Sequence, residues 1–225
     1  MKANWIYLSH ILNNKHYAYG NGKKINIKEI KSIANGDTSN NSEINLPTHF
    51  GTHIDYPYHF NNDAINGDYI QPSFFISNNI EYLDKSIISP INYLYTPNDF
   101  KNIAFNKNTE ILIIKTGIGK YYNNDIYWNS NPGFSSDLAD FFKSAMPKIK
   151  IFGFDSISLT ARKFRDEGKQ AHKKFLIEHN ILILEDMFLN KLNNSTIINN
   201  IIIAPLRFQN EDGAPVTIFA QINEQ

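Results

Sequence analysis

Three histidines and one aspartate lie close together in the segment THFGTHIDYPYHF, residues 48 to 60. The chain has seven histidines in all, and His49, His53 and His59 fall within eleven residues here. Imidazole nitrogens and carboxylate oxygens are common protein ligands of Zn²⁺, and they also suit Mn²⁺. Imidazole in addition transfers protons near neutral pH. The segment is therefore a candidate both for metal binding and for proton transfer.

The spacing of these residues determines which of them can reach one ion. Positions 49, 53, 55 and 59 share parity, so a straight strand would project all four side chains from one face. At about 3.3 Å per residue, however, the Cα atoms of His49 and His53 would lie roughly 13 Å apart. Gly51, between them, can turn without a Cβ penalty. We therefore predict a turn at Gly51 and not a strand.

With that turn, His49, His53 and Asp55 can supply two imidazole nitrogens and one carboxylate oxygen to Zn²⁺ or Mn²⁺. An ion held in this way, with one open position, activates water near neutral pH. Pro57 interrupts regular structure and separates His59 from the other three, so His59 is the candidate for proton transfer. A lone pair of histidines four residues apart is most often a surface coincidence. The glycine, the aspartate and the third histidine favour a metal site here.

The composition excludes several other kinds of site. Cysteine is absent, which excludes thiolate nucleophiles, disulfides and sulfur-ligated metals. Lys plus Arg and Asp plus Glu both number 22, and no long basic run indicates a nucleic-acid partner. No segment approaches the length of an apolar membrane span, and the N-terminal residues lack an uninterrupted apolar signal core. We expect a cytoplasmic protein that binds neither nucleic acid nor a membrane.

Predicted strands and helices, which must position the histidine segment, alternate along the chain. Short β-branched segments predict buried strands at residues 110–117, 148–155, 180–186, 200–206 and 214–222. Helical spacing of apolar residues predicts one helix after a Ser cap in NPGFSSDLADFFKSAM and another in EGKQAHKKFLIEHN, which Asn180 is expected to end. No linker or repeat marks a boundary, so we expect residues 1–225 to form one domain. The order of elements predicts an α/β fold, a single domain with a mixed β-sheet and flanking helices.

The segment HFGTHIDYPYHF resembles the HxGTHxDxPxHF signature of the cyclase-type metal-dependent hydrolases, the family that includes bacterial kynurenine formamidase and isatin hydrolase. Every fixed position of the signature is matched. Weaker agreements follow in order along the chain, at YLSH, ILIIKTG, NPGFSSDLADF, FGFDSISL, AHKKFL, ILED and PLRFQNEDGAPV. The resemblance implies the swivelling β/β/α fold of that family, one or two Zn²⁺ ions or Mn²⁺ as cofactor, and a homodimer or larger homo-oligomer.

The resemblance also implies roles by position. The implied metal ligands are His49, His53 and Asp55 for a first ion, and His172 and Glu185, with Asp55 shared, for a second. His59 matches the catalytic histidine of the family. The separation of His172 from Glu185 is one residue longer than is usual there, and we expect the loop around EHN to absorb the insertion. Asp186 and Glu178 therefore compete with Glu185 for the role of ligand.

The family's chemistry implies a hydrolase that uses metal-activated water to cleave an amide bond, and N-formylkynurenine is the first candidate substrate. Hydrolysis of a cyclic amide or a lactone is the alternative. Tyr56, Tyr58 and Phe60 are expected to wall a flat aromatic or cyclic substrate. A non-catalytic metal-binding or ligand-binding protein is a further alternative, which loss of His59 or of a ligand would favour, and neither is lost.

Other polar residues receive no functional role from the sequence. His10, His16 and His179 lack ligand spacing and are expected to be solvated or to cap other elements. Asp212 and Gly213 are interpreted as a turn signal before the last strand.

Overall fold

A computed structural model describes residues 4–223 of the chain. The strands are β1 (Asn4–Tyr7), β2 (Asn26–Lys31), β3 (Asn41–Asn45), β4 (His53–Asp55), β5 (Ile76–Ser77), β6 (Ile80–Asp84), β7 (Leu94–Tyr95), β8 (Ile111–Lys115), β9 (Gly133–Phe134), β10 (Ile151–Phe154), β11 (Leu182–Glu185), β12 (Ile198–Pro205) and β13 (Gly213–Ile222). The α-helices are α1 (Ile126–Asn129), α2 (Asp137–Ala145) and α3 (Arg165–Lys173). Short 3-10 turns connect many of these elements.

One mixed sheet of nine strands organises the molecule. Its strand order is β5-β12-β13-β4-β11-β10-β8-β6, and β1 pairs with β13. Strands β6, β8, β10 and β11 are parallel, whereas β4 runs antiparallel to both of its neighbours, β11 and β13. All five strands expected from β-branched segments are present, and the predicted mixed α/β fold is confirmed.

The core forms where α2 and α3 cover the parallel strands. Strands β8 and β10 are buried along most of their length, as parallel strands covered on both faces must be. Phe152 of β10 contacts Phe142 of α2, with ring centroids 5.3 Å apart, and Phe175 just after α3 at 5.2 Å. This packing fixes both helices, and α3 carries His172 into the interior.

The two predicted helices exist, with differences at their ends. Ser136 occupies the N-cap position of α2, but its side chain makes no cap hydrogen bond. Its backbone N–H donates instead to Glu167 Oε1 at 2.6 Å. Helix α3 continues into a π-helical turn, Lys174–Glu178, and Asn180 follows with a left-handed φ of 52°. The expected stop at Asn180 is therefore confirmed, since Asn tolerates this conformation.

The other eight strands of the described residues, β1 to β7 and β9, were not predicted from the sequence. Strands β2 and β3 pair as a separate two-stranded hairpin, and all of their residues are exposed. Because neither face of this hairpin is buried within the chain, its sequence carries no clean alternation of apolar and polar residues. Among residues 4–223, no helix is both long enough and apolar enough to cross a membrane.

Candidate metal centre

The turn at Gly51 brings His49 back toward His53. Gly51 has a φ of 65°, which favours glycine, and a Cβ there would clash with the side chain of Leu12. The imidazole rings of His49 and His53 consequently lie 5.1 Å apart, centroid to centroid. The predicted turn is confirmed, and β4 begins only at His53.

Neighbouring elements bring the remaining predicted ligands to β4. The antiparallel pairing of β4 with β11 sets His53 opposite Glu185, and the pairing with β13 sets Asp55 opposite Gly213. Helix α3 supplies His172. The relative exposure of His53, Asp55, His172 and Glu185 is at most 4%. Buried imidazole and carboxylate groups need partners or an ion, so their convergence is a chemical feature and not only a packing one.

Asp55 lies between the imidazoles of His49 and His53 on one side and the imidazole of His172 on the other. Its Oδ1 lies 2.8 Å from His49 Nδ1 and 3.5 Å from His53 Nε2. Its Oδ2 lies 3.7 Å from His172 Nε2. The two carboxylate oxygens thus face different histidines, as a carboxylate shared between two ions would.

Glu185 closes the cluster on the other side. Its Oε2 lies 3.4 Å from His53 Nε2, and its Oε1 lies 3.4 Å from His172 Nε2. Ligand atoms that share a tetrahedral ion at about 2.1 Å are themselves about 3.4 Å apart. His53, Asp55 and Glu185 in addition offer ligand atoms that all lie within 4.8 Å of one another. The donor set and its spacing fit Zn²⁺ or Mn²⁺.

Surrounding hydrogen bonds orient these ligands. His53 Nδ1 donates to Gly51 O at 2.7 Å, and His172 Nδ1 donates to Gly168 O at 2.8 Å. Both rings therefore direct Nε2 into the cluster. The backbone N–H of Leu159 donates to Glu185 Oε1 at 2.6 Å. Partners of this kind fix the tautomer and the direction of metal ligands.

The electrostatics of the cluster follow from its burial and its mixed charges. Burial alone lowers the pKa of His49, but Asp55 and Asp212 outweigh it and raise that pKa to about 10. Burial likewise opposes protonation of His53 and His172, yet the neighbouring carboxylates, led by Glu185, raise the pKa of both. Since metal ligands must be deprotonated, an ion that binds here releases protons, and its affinity rises with pH.

His59 lies beside the cluster, on the 3-10 turn Pro57–His59. Its ring centroid is 4.1 Å from that of His49, and its Nδ1 lies 2.7 Å from Asp212 Oδ2. His49, Asp55 and His59 offer a second set of ligand atoms within 4.8 Å of one another. The division of roles between His59 and the ligands therefore stays a prediction.

Asp212 is the site residue that the sequence did not reveal. The turn interpretation describes its local backbone, a bend immediately before β13, but its side chain reaches the cluster. Asp212 Oδ2 lies 2.8 Å from His49 Nε2 as well as 2.7 Å from His59 Nδ1. Burial would raise the pKa of Asp212, but the two histidines hold it well below its usual range. The sequence signals were an acidic residue ahead of the last strand, which is common in turns, and its place in the segment PLRFQNEDGAPV, which resembles the family.

The competitors of Glu185 point elsewhere. Asp186 has a left-handed φ of 55°, which turns its carboxyl toward the Tyr127 hydroxyl, and burial raises its pKa to about 6. Glu178 is exposed at the end of the π turn. Neither residue therefore replaces Glu185 in the cluster.

The π turn also bears on the spacing of the ligands. A π turn closes on an i→i+5 hydrogen bond, here His179 N to Lys174 O at 3.0 Å, so it takes up one residue more than an α turn. This π turn lies between His172 and Glu185 and overlaps the EHN segment, and the expectation that the insertion is absorbed there stays a prediction.

Two of the histidines expected to be solvated or to cap other elements have side chains that are mostly shielded from solvent. The side chain of His10 is 9% exposed and stacks on Tyr122, with ring centroids 4.0 Å apart. His16 is 7% exposed and stacks on Phe50. The expectation was wrong for both because aromatic packing, and not ligand spacing, determines where they lie. His179 does remain near the surface, where its Nε2 pairs with Asp140.

The aromatic residues of the motif separate into two environments. Phe60 stacks on His172, with centroids 4.8 Å apart, and so borders the cluster. Tyr56 is 3% exposed and lines a cavity of about 460 Å³ between residues 67–76 and the β12–β13 hairpin. None of the five predicted metal ligands lines that cavity. Phe60 is therefore better placed than Tyr56 to contact a molecule at the metal centre.

Known proteins share this sequence and this fold. The family described as Putative cyclase matches residues 6–161, more than half of the chain. An uncharacterized protein of Methanocaldococcus jannaschii is 30% identical over 179 residues, which cover 80% of this chain and 81% of the relative. The kynurenine formamidase of Bacillus anthracis is 25% identical over 221 residues, 95% of each chain. The solved structure of isatin hydrolase A from Labrenzia aggregata superposes with a TM-score of 0.82 at 20% identity and covers 99% of this chain and 94% of that one.

The chain belongs to the cyclase family. The match includes the histidine motif and ends before His172 and Glu185, so the placement of those two residues rests on the structure.

Proposed function

We propose that this protein is a metal-dependent hydrolase that cleaves an amide bond, with N-formylkynurenine as the first substrate to test. The observation that carries the proposal is the position of Asp55, whose Oδ1 faces His49 and His53 and whose Oδ2 faces His172. The relationship to kynurenine formamidase of Bacillus anthracis supports the choice of an aryl formamide. His49, His53, Asp55, His172 and Glu185 would hold one or two Zn²⁺ or Mn²⁺ ions.

The bound ion would polarise the scissile carbonyl and activate water near neutral pH. His59 performs the proton transfer, because its ring borders the cluster and its Nδ1 is already engaged by Asp212. The remaining nitrogen, Nε2, would accept a proton from the attacking water and then pass it to the leaving amine. Phe60 stacks on the ligand His172 and places an aromatic ring at the border of the cluster, which suits an aryl group of the substrate.

A cyclic amide or a lactone is the second candidate substrate class. The structural similarity to isatin hydrolase A supports this alternative, although the sequences are only 20% identical. The same ligands and the same histidine would serve a ring-opening hydrolysis, because that reaction also attacks a carbonyl and protonates a leaving nitrogen or oxygen. A non-catalytic binding protein is the alternative of another class.

Metal content and hydrolysis, measured on one purified sample, test the proposal. The sample is analysed for metals and assayed with N-formylkynurenine before chelation, after chelation, and after Zn²⁺ or Mn²⁺ is restored. We expect metal to be present and hydrolysis to be lost and regained with it. Metal without hydrolysis of N-formylkynurenine, but with opening of isatin or a lactone, favours the second substrate class. Metal with neither activity favours a binding protein, and failure to bind either ion rejects the metal centre.

A further inference from the structure

The carboxylate of Asp212 lies between two histidines that the proposed function gives different tasks. A single oxygen, Oδ2, is 2.8 Å from His49 Nε2 and 2.7 Å from His59 Nδ1. Asp212 precedes β13, more than 150 residues beyond both histidines. Neither the family motif nor the predicted ligand set includes it.

Hydrogen bonds to both its side chain and its backbone hold Asp212 in place. The Thr48 hydroxyl donates to Asp212 Oδ1 at 3.2 Å, which leaves Oδ2 for the two histidines. The backbone N–H of Tyr56 donates to the carbonyl oxygen of Asp212 at 3.0 Å. These bonds tie Asp212 to the same loop that carries His49 and His59, so its position is fixed relative to both rings.

The hydrogen-bond geometry determines which ring nitrogens of His49 and His59 carry protons. An ionised carboxylate only accepts hydrogen bonds, so both imidazole nitrogens that contact Oδ2 must carry protons. His49 Nδ1 lies 2.8 Å from Asp55 Oδ1, so by the same rule it carries a proton in the metal-free protein and releases that proton when an ion binds. His59 is left with Nε2, which makes no hydrogen bond within residues 4–223 of the structure.

We propose that Asp212 is a positioning residue, which holds His59 as the Nδ1–H tautomer with Nε2 free for proton transfer and turns Nδ1 of His49 toward the metal. A carboxylate behind an imidazole has this effect in other hydrolytic sites, where it orients the ring and stabilises the imidazolium form. The catalytic consequence rests on the proposed function. The tautomer of His59 and the orientation of the two rings are independent of the proposed function, since they are properties of the protein itself.

The test compares the Asp212→Asn and Asp212→Glu variants with the wild type, and Glu211→Gln serves as the matched control that removes the adjacent charge. Imidazole ¹⁵N chemical shifts of the zinc-loaded protein report the tautomers, and His59→Gln assigns the signals. We expect His59 to be protonated at Nδ1 in the wild type and in Glu211→Gln. In Asp212→Asn we expect a mixture of tautomers, which Asp212→Glu partly restores.

Kinetics on the same samples separate positioning from structural support. With a hydrolysed substrate, we expect Asp212→Asn to lower kcat about 100-fold or more, the scale of a lost proton-transfer contribution, while KM changes little. Partial recovery of kcat in Asp212→Glu is expected as well. An Nε2–H tautomer in the wild type, or an unchanged Nδ1–H tautomer in Asp212→Asn, overturns the proposal. If no substrate is turned over, the proposed function fails, and the ¹⁵N shifts still decide the role of Asp212.

Discussion

His59 and Asp55 lie four residues apart, yet their surroundings give them different tasks. Asp55 is buried among three histidines, whereas His59 is partly exposed and paired with Asp212. We predict that Asp55→Ala loses both bound metal and turnover. His59→Ala should keep metal near the wild-type level and lose turnover by about 100-fold or more. Elemental analysis and a hydrolysis assay on both variants check this, and equal loss of metal would identify His59 as a ligand.

A second residue-scale prediction concerns His10, whose side chain is 9% exposed and whose Nε2 lies 3.6 Å from Asp186 Oδ1. Burial lowers its pKa to about 4 from an ordinary value of 6.5. Between these values the unfolded chain binds a proton that the folded chain excludes, so stability falls as the pH falls. When the pH falls through both pKa values, the free energy of unfolding decreases by about 3 kcal/mol. Urea unfolding of chelated protein at pH 7 and near pH 4.5 measures it.

The variant His10→Gln should lose less stability than the wild type over that pH interval, because it removes the titrating group. His179→Gln, which removes a histidine near the surface, is the control and should follow the wild type. Equal pH dependence in the wild type and in His10→Gln would contradict the assignment.

At the scale of elements, the close approach of β13 to residues 49–55 determines the position of His49. Gly213 pairs with Asp55, and a Cβ at Gly213 would meet His49 Cε1 at 2.6 Å and Ile54 O at 2.9 Å. Neither contact can be tolerated without movement of His49 or of the strand. We predict that Gly213→Ala lowers metal affinity at least tenfold, which metal titration measures.

The Gly22→Ala variant provides the comparison for Gly213→Ala. Its Cβ would meet only Tyr19 O at 3.3 Å and Ala18 Cβ at 3.9 Å, outside the metal centre. Unchanged metal affinity in Gly213→Ala would show that the loop adjusts freely and that β13 does not position His49.

At the scale of the whole molecule, the β2–β3 hairpin forms a two-stranded sheet that pairs with no other strand among residues 4–223. Its cross-strand pair Ile27 and Ile44 is 48% and 59% exposed, and Ile30 and Ile33 are also exposed. An isolated two-stranded hairpin is at best marginally stable in water, and exposed apolar groups of this kind mark interaction surfaces. We propose that a second copy of the chain covers this hairpin in a homodimer.

Light scattering coupled to size exclusion tests the dimer at micromolar concentration. The double variant Ile27→Ser with Ile44→Ser should shift the protein toward the monomer. The neighbouring cross-strand pair Lys28 and Glu43, both changed to Ser, is the control and should leave the mass unchanged. A wild-type protein that is monomeric throughout would contradict the proposal.

The sequence by itself determined the features that depend on local spacing. The motif around residues 49 to 59 predicted the turn at Gly51, and β-branched segments predicted the five buried strands, because periodicity and glycine conformation act over a few residues. The resemblance to the family also predicted His172 and Glu185 as metal ligands. That both converge on Asp55 depends on strand pairing and helix packing.

Only the tertiary structure decided the role of residues whose partners are distant in sequence. Asp212 has the local pattern of a turn, and its contact with His49 and His59 exists because β13 pairs with β4. His10 has no ligand spacing, and aromatic packing buries it. The exposed hairpin likewise lacks the alternation that predicts strands. Local patterns record what a segment prefers, whereas these three features arise from which segments meet, and that is set by the register and packing of the whole sheet.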